Sequence, residues 1–285
     1  IVFNLEPEKG LKYSAYVNFD SLKQEFNFDL QYVSNVSDEN SLKLLNEKKL
    51  DILFIIGWHK IVPQTVLNSA KIQLGIHSSL LPKNRGSSPI NWQIIRNEKN
   101  GGTTLFHLTY DVDAGSIVDQ EQFSIEFNDD IDTVYSKAIV ASLNILERNW
   151  SEIHSLTPKN IPQDENEVTI NEQRKPDDGL IDWTKKSIQC YNWVRALAHP
   201  YPGAFTFWGN KKILIWKCKL SEITNTQPGK IIKADNKIVI STGNKSIEIF
   251  SLQIENEPIC NAEVFVKSYG LNTNDFFNYR EVDLK

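Results

Sequence analysis

Apolar positions recur with two different spacings along this chain. Residues 51–57 (DILFIIG) form an unbroken apolar run, the pattern of a strand covered on both faces. Residues 1–3, 30–33, 71–77, 103–109 and 116–125 are further strand candidates. Between them lie helical stretches: 41–50 with leucines at 42, 44, 45 and 50, the short 63–70, 89–98 with proline in its first turn, and a long amphipathic helix over 133–153 capped by Asp132. Alternation of this kind predicts a doubly wound, mostly parallel α/β sheet of Rossmann-like type. Residues 157–178 are polar, proline-containing and charged, and read as a linker. After a helix over 187–198 the spacing changes. Strand candidates at 204–208, 211–219, 229–234, 237–241 and 246–252 are separated by Gly209-Asn210, Asp235-Asn236 and Gly243-Asn244 turns, with a last helix over 262–269. Five short strands predict a small OB-like β-barrel. The division expected is a Rossmann-like domain over 1–156, a linker over 157–186, and a helix-plus-barrel domain over 187–285.

A length of 285 residues suits that two-domain division. A net charge of −5 lowers the expectation of a nucleic-acid partner, whose phosphates favour basic proteins. No apolar run reaches the ~18 residues of a membrane span, and no basic-then-apolar signal opens the chain, so no membrane partner and a cytoplasmic location are expected. Cys190, Cys218 and Cys260 are far apart and form no zinc spacing, so no metal is expected. The chain contains no methionine, even at position 1, and spacing across its first fifty residues therefore carries no argument.

Two clusters stand out for chemistry. The first, GIHSSLLPKNRGSSPINW (75–92), puts His77 where a buried strand leaves the sheet, the edge at which open α/β sheets bind ligands. Taken alone, a single histidine there reads more often as structural. The second, GTTLFHLTYDVDAGSI (102–117), carries Asp111 and Asp113 before Ala114-Gly115 and taken alone reads as a turn.

Together, H-x-S-L-L-P-x-x-R-G-x-x-P-x-x-W and G-x-T-x8-D-x-G-x-I resemble the folate-dependent formyltransferase family, which includes glycinamide ribonucleotide, methionyl-tRNA and nucleotide-sugar formyltransferases. RKPDDGLIDW (174–183), N-x-x-R-A-x-x-x-P-Y-P-G-A-F (192–205) and KKILIW (211–216) narrow it. They resemble the C-terminal region of methionyl-tRNA formyltransferase and of the sugar formyltransferases, including the formyl-transferring half of the enzyme that modifies 4-amino-arabinose. The likeness covers roughly residues 50 to 270.

Formyl transfer is acyl transfer to an amine. The nitrogen must be unprotonated when it attacks, the former carbonyl oxygen then carries negative charge, and a proton must pass to the leaving tetrahydrofolate. The resemblance implies that His77 donates to the oxyanion or takes the amine proton, and that Asp113 holds the imidazole tautomer or a proton-carrying water. It implies 10-formyltetrahydrofolate as cosubstrate. The loop at 57–62 (GWHKIV), with Trp58, Lys60, Ile61 and Val62, and the loop at 110–115, with Asp111 and Val112, would form its pteridine slot, although core packing accounts equally well for Trp58 and Ile61. Lys83 and Arg85 are candidates for a substrate diphosphate, with a solvated basic loop as the equal alternative. Arg195 and Tyr201 are read as joining the barrel to the catalytic domain. The family usually has asparagine two residues before the histidine, where its amide helps hold the formyl oxygen. This chain has Gly75. Three readings are open: another donor substitutes, the enzyme is slow, or the protein binds without catalysis; the first is favoured because the surrounding residues are kept. A nucleotide-linked amino-deoxysugar destined for a surface polysaccharide is the expected acceptor, with methionyl-tRNA as the rival. A homodimer is compatible with this reading.

Overall fold

The computed structural model describes residues 1–10, 16–58, 60–224, 227–273 and 275–278. Contacts divide the chain into two compact units. One comprises Ile1–Gly86, Gly102–Phe123 and Ala138–Asn171, the other Ser87–Gly101, Ser124–Lys137 and Glu172–Lys285. Of the stretch 157–186, residues up to 171 therefore go with the first unit and the rest with the second.

The first part of the chain holds β1 (Val2–Leu5), α1 (Pro7–Gly10), α2 (Asp20–Phe26), β2 (Leu30–Val33), α3 (Glu39–Lys48), β3 (Leu50–Ile56), α4 (Gln64–Leu67) and β4 (Ala70–His77). It continues through β5 (Arg85–Gly86), α5 (Pro89–Ile95), β6 (Asn100–His107), β7 (Ile117–Ser124), α6 (Ile131–His154) and β8 (Ile170–Asn171). β1 pairs with β2 in parallel, and β3 with β4 in parallel. The sheet order is β3-β4-β6-β7, with β6 antiparallel to β4 so that His77 lies opposite Thr104 and Gly75 opposite Phe106. Parallel pairing is thus the rule up to β4 and is broken at β6.

Leu74, Leu105, Val118, Ile145 and Ile153 form this unit's core, with Ile52, Phe54, Ile72 and Ile76 packed against them. Each of the five fully buried side chains contributes ~1.5–3 kcal/mol by leaving water, and the partly buried ones less. Helix α6 reaches this core through Ala138, Ala141, Ile145 and Ile153, spaced to share one face. Its cap differs from expectation. The Asp130 carboxylate accepts from the Thr133 backbone N–H (3.0 Å) and hydroxyl (2.8 Å), whereas Asp132 lies inside the first turn. Three residues between acceptor and donor is the capping spacing, and Asp132 has no backbone N–H at that offset left unpaired by the helix.

The second unit contains α7 (Ser187–Leu197), β9 (Ala204–Trp208), β10 (Lys211–Ser221), β11 (Ile231–Ala234), β12 (Ile238–Ser241), β13 (Ser246–Ile254), β14 (Cys260–Asn261) and α8 (Ala262–Tyr269). Its antiparallel sheet runs β11-β12-β13-β10-β9, with β14 on β13. Residues 275–278 close it. Asn278 exchanges backbone hydrogen bonds with Phe207 of β9 (2.9 and 3.0 Å), while Phe277 N–H donates to Gly229 O (2.8 Å) and Ile231 N–H to Asp275 O (3.0 Å). Both ends of the sheet are thereby paired through one short segment, which removes the exposed edges. Phe277 and Phe265 are fully buried beneath it.

Candidate active site

His77 is the last residue of β4, and its imidazole is almost entirely buried, 9% exposed. Its Nε2 lies 2.7 Å from the carbonyl oxygen of Asn84. A carbonyl only accepts, so Nε2 carries the hydrogen and Nδ1 is the nitrogen free to exchange a proton. Nδ1 lies 3.5 Å from Asp113 Oδ2. That same carboxylate oxygen accepts the Gly86 N–H at 2.7 Å. Two residues 36 positions apart in sequence are therefore brought to one point, each fixed by backbone of the loop that follows β4.

That loop is itself tied down. The Asn84 N–H donates to Thr169 Oγ1 (2.8 Å), and Arg85 N–H to Thr169 O (2.9 Å). β5 pairs with β8 in parallel, Arg85 opposite Ile170 and Gly86 opposite Asn171. The buried Arg85 guanidinium is filled by Gln163 Oε1 (3.0 and 2.8 Å) and the Glu165 carboxylate (2.8 and 3.3 Å). The hydrogen bond from Arg85 holds the Glu165 carboxyl below its ordinary pKa against a smaller effect of burial. Lys83 pairs with Glu167 at 3.1 Å, both well exposed.

The Asp113 loop makes an equally close approach. A Cβ on Gly115 would fall 1.6 Å from His107 O, so only glycine permits this path. Asp113 itself adopts a left-handed backbone, φ +53°.

Gly75 lies two residues before His77 on the same strand. A Cβ there would meet Leu108 Cδ2 at 2.7 Å and Phe106 Cε1 at 3.0 Å. Leu108 and Phe106 belong to an apolar cluster with Leu81 and Ile117. The space beside Gly75 is thus filled by hydrocarbon.

The remaining sequence candidates sit on two loops. Trp58 and Val62 are half-buried, while Lys60 and Ile61 are exposed, on the loop leaving β3 beside the strand that carries His77; His59 lies outside the described residues. Asp111 and Val112 are exposed on the loop that carries Asp113. Ile61 is 71% exposed, Tyr110 70% and Val112 54%, so each offers uncovered apolar surface. Direct contacts join His77, Asn84, Gly86 and Asp113 with Arg85 and Gln163. Neither Asn84 nor Gln163 has a sequence signature: one acts through a backbone carbonyl, which any residue has, and the other lies in a polar stretch without periodicity. Among the described residues no group of three or more acidic, histidine or cysteine side chains is arranged to hold a metal.

The sequence profile for formyl transferase matches residues 13–148, and that for the formyl transferase C-terminal domain matches 174–270. The bifunctional polymyxin resistance protein ArnA of Wigglesworthia glossinidia brevipalpis is 36% identical over 244 residues, 84% of this chain, which spans 37% of that protein's length. The methionyl-tRNA formyltransferase of Thermodesulfovibrio yellowstonii is 31% identical over 240 residues, covering 83% of this chain and 76% of that protein. In fold, the chain is similar to the N-formyltransferase from Helicobacter canadensis solved in complex with folinic acid and dTDP-3-aminofucose. The TM-score is 0.60 at 21% identity, over 80% of this chain and 81% of that one.

Proposed function

The chain belongs to the formyl transferase family, and from that premise we propose that it transfers a formyl group from 10-formyltetrahydrofolate to the amine of a nucleoside-diphosphate-linked amino-deoxysugar. The observation that carries this reading is the placing of His77 Nδ1 3.5 Å from the Asp113 carboxylate, with Nε2 committed to Asn84 O. As the amine nitrogen bonds to the formyl carbon, His77 Nδ1 takes the proton the nitrogen must lose. Asp113 stabilises the imidazolium so formed, and the proton returns to the folate nitrogen as its bond to the formyl carbon breaks. General acid–base help of this kind supplies ~10²–10⁴-fold. The exposed apolar faces of Ile61, Tyr110 and Val112 suit the walls of a slot for a flat ring, with Trp58, Lys60, Val62 and Asp111 beside them on the same two loops.

Gly75 bears on the oxyanion. The hydrocarbon beside it supplies no donor, and one missing donor costs ~10²–10³ in rate where nothing compensates. Arg85, filled by Gln163 and Glu165, fixes the loop in this reading, which leaves Lys83 as the basic candidate for a diphosphate.

A second reading, transfer to methionyl-tRNA, is favoured by the 31% identity to a methionyl-tRNA formyltransferase. The net charge of −5 weighs against gripping a polyanion. A coupled assay separates the readings: 10-formyltetrahydrofolate is offered with a panel of nucleotide-linked amino sugars and with initiator tRNA, and formylated product is detected by mass. Product on a sugar nucleotide, lost in His77→Ala and Asp113→Ala, supports the proposal. Product on tRNA alone, or ligand binding without turnover across the panel, overturns it.

A further inference from the structure

Residues 161–171 are exposed almost throughout, yet Gln163 is half-buried, and its carboxamide is fully used. Nε2 donates to the backbone carbonyls of Asp113 (2.8 Å) and Gly115 (2.7 Å). Oε1 accepts from Arg85 Nε (3.0 Å) and Nη2 (2.8 Å). A primary amide has two N–H donors and two lone pairs on oxygen, and all four are engaged here.

These bonds close a ring. Gln163 holds Arg85; Gly86, the next residue, donates its N–H to Asp113 Oδ2; and the Asp113 carbonyl returns to Gln163. Asp113 is held at φ +53°, in the left-handed region that aspartate visits more readily than most non-glycine residues. Gln163 and Gly86 each constrain it there, one through the Asp113 backbone and one through its carboxylate. Other bonds secure the same segment without touching Asp113: Ile161 exchanges backbone hydrogen bonds with Ile117 (2.8 and 2.9 Å), and Thr169 accepts from Asn84 and Arg85.

We propose that Gln163 is the positioning residue of the reactive pair, setting where the Asp113 carboxylate stands relative to His77 Nδ1. This inference rests on the reading that His77 and Asp113 handle the transferred proton. The charged groups that face the ring are His77, Asp113, Arg85 and Glu165, with the Lys83–Glu167 pair further along the same segment.

Gln163→Glu is the discriminating variant. It keeps oxygens for Arg85, and so the fastening of the segment, but removes both N–H groups that hold the Asp113 loop. The expected result is a kcat lower by ~10²-fold, the scale of a small misplacement of a reacting group, with the KM for 10-formyltetrahydrofolate and the melting temperature close to wild type. Gln163→Met, which removes all four bonds, is compared by ¹⁵N NMR of His77, a readout that needs no turnover. Wild type is expected to show one ring tautomer with hydrogen on Nε2, and both variants a changed Nδ1 signal. A kcat within about twofold of wild type in Gln163→Glu together with unchanged His77 signals in both variants overturns the inference. If wild type formylates nothing in the panel, the transfer reading fails, and the His77 signals still decide whether Gln163 positions the pair.

Discussion

Arg85 and Arg195 are buried alike, 7% and 6% exposed, and each lies within a sequence motif, yet they organise different kinds of region. Arg195 on α7 is held by the Asn192 side chain (2.9 Å) and the backbone carbonyl of Asp129 (2.6 Å), with Tyr191 beneath it. Its partners are parts of the scaffold: Tyr191 donates on to Phe127 O, and the Asp129 carboxylate accepts from Lys137. Arg85 is held by Gln163 and Glu165, and Gln163 in turn holds the loop of Asp113. A guanidinium can serve as a strut in both places, since its five N–H groups satisfy several acceptors at once. What separates the two is whether the acceptor is also bonded to the loop of the proposed reactive pair. An arginine in a motif is therefore weak grounds for a phosphate site until its fork is known to be unfilled.

His77→Ala and Asp113→Ala are each expected to lower turnover by ~10²–10⁴-fold, read by product formation, with melting temperatures near wild type. Next comes the contrast itself. Arg85→Met should lower kcat by ~10²-fold because the Asp113 loop loses its anchor through Gln163. Arg195→Met should instead cost about 1 kcal/mol in a denaturant titration, from the half-buried Asp129 carbonyl it leaves unpaired, with kcat per folded molecule unchanged. Equal losses of kcat in the two variants would erase the distinction.

Gly75→Asn probes the hydrocarbon beside the pair. The new side chain collides with Leu108 and Phe106, and overpacking of this kind costs ~1–3 kcal/mol. Leu108→Ala in the same chain should restore part of that stability. The smallest effect belongs to Glu165, whose side chain is 71% exposed. Its carboxyl is held below the ordinary value, chiefly by the hydrogen bond from Arg85, so the pair's contribution is present above the unfolded-state pKa and is lost as pH falls through the folded value. Glu165→Gln should flatten the acid limb of a melting-temperature profile and change little at neutral pH.

Much of this architecture is legible in the sequence where burial imposes a period. Residues 30–33 and 262–269 are read to the residue as β2 and α8, and DILFIIG becomes β3 with a shift of one residue. The barrel strands emerge because their turns carry Gly-Asn and Asp-Asn pairs. Helix α2 buries none of its residues, so no apolar stripe announces it. The segment at 275–278 closes the barrel by backbone hydrogen bonds, which leave no side-chain signature. At the candidate site, His77 and Asp113 stand in the two motifs that together carry the family resemblance. Asn84 carries no such mark, because its contribution is a carbonyl, and neither does Gln163, whose partners are 50 and 78 residues away. The space beside Gly75 depends on which way Leu108 folds back, a tertiary matter that strand periodicity does not address.

The proposed role of the His77–Asp113 pair in moving the proton that accompanies formyl transfer is open to a single-turnover experiment. Isotopically labelled formyl on 10-formyltetrahydrofolate is followed onto the amine of a sugar nucleotide. Label should reach the amine with wild type, and the transfer step should slow by ~10²-fold or more in His77→Gln and in Asp113→Asn. Transfer at the wild-type rate by either variant would rule that role out.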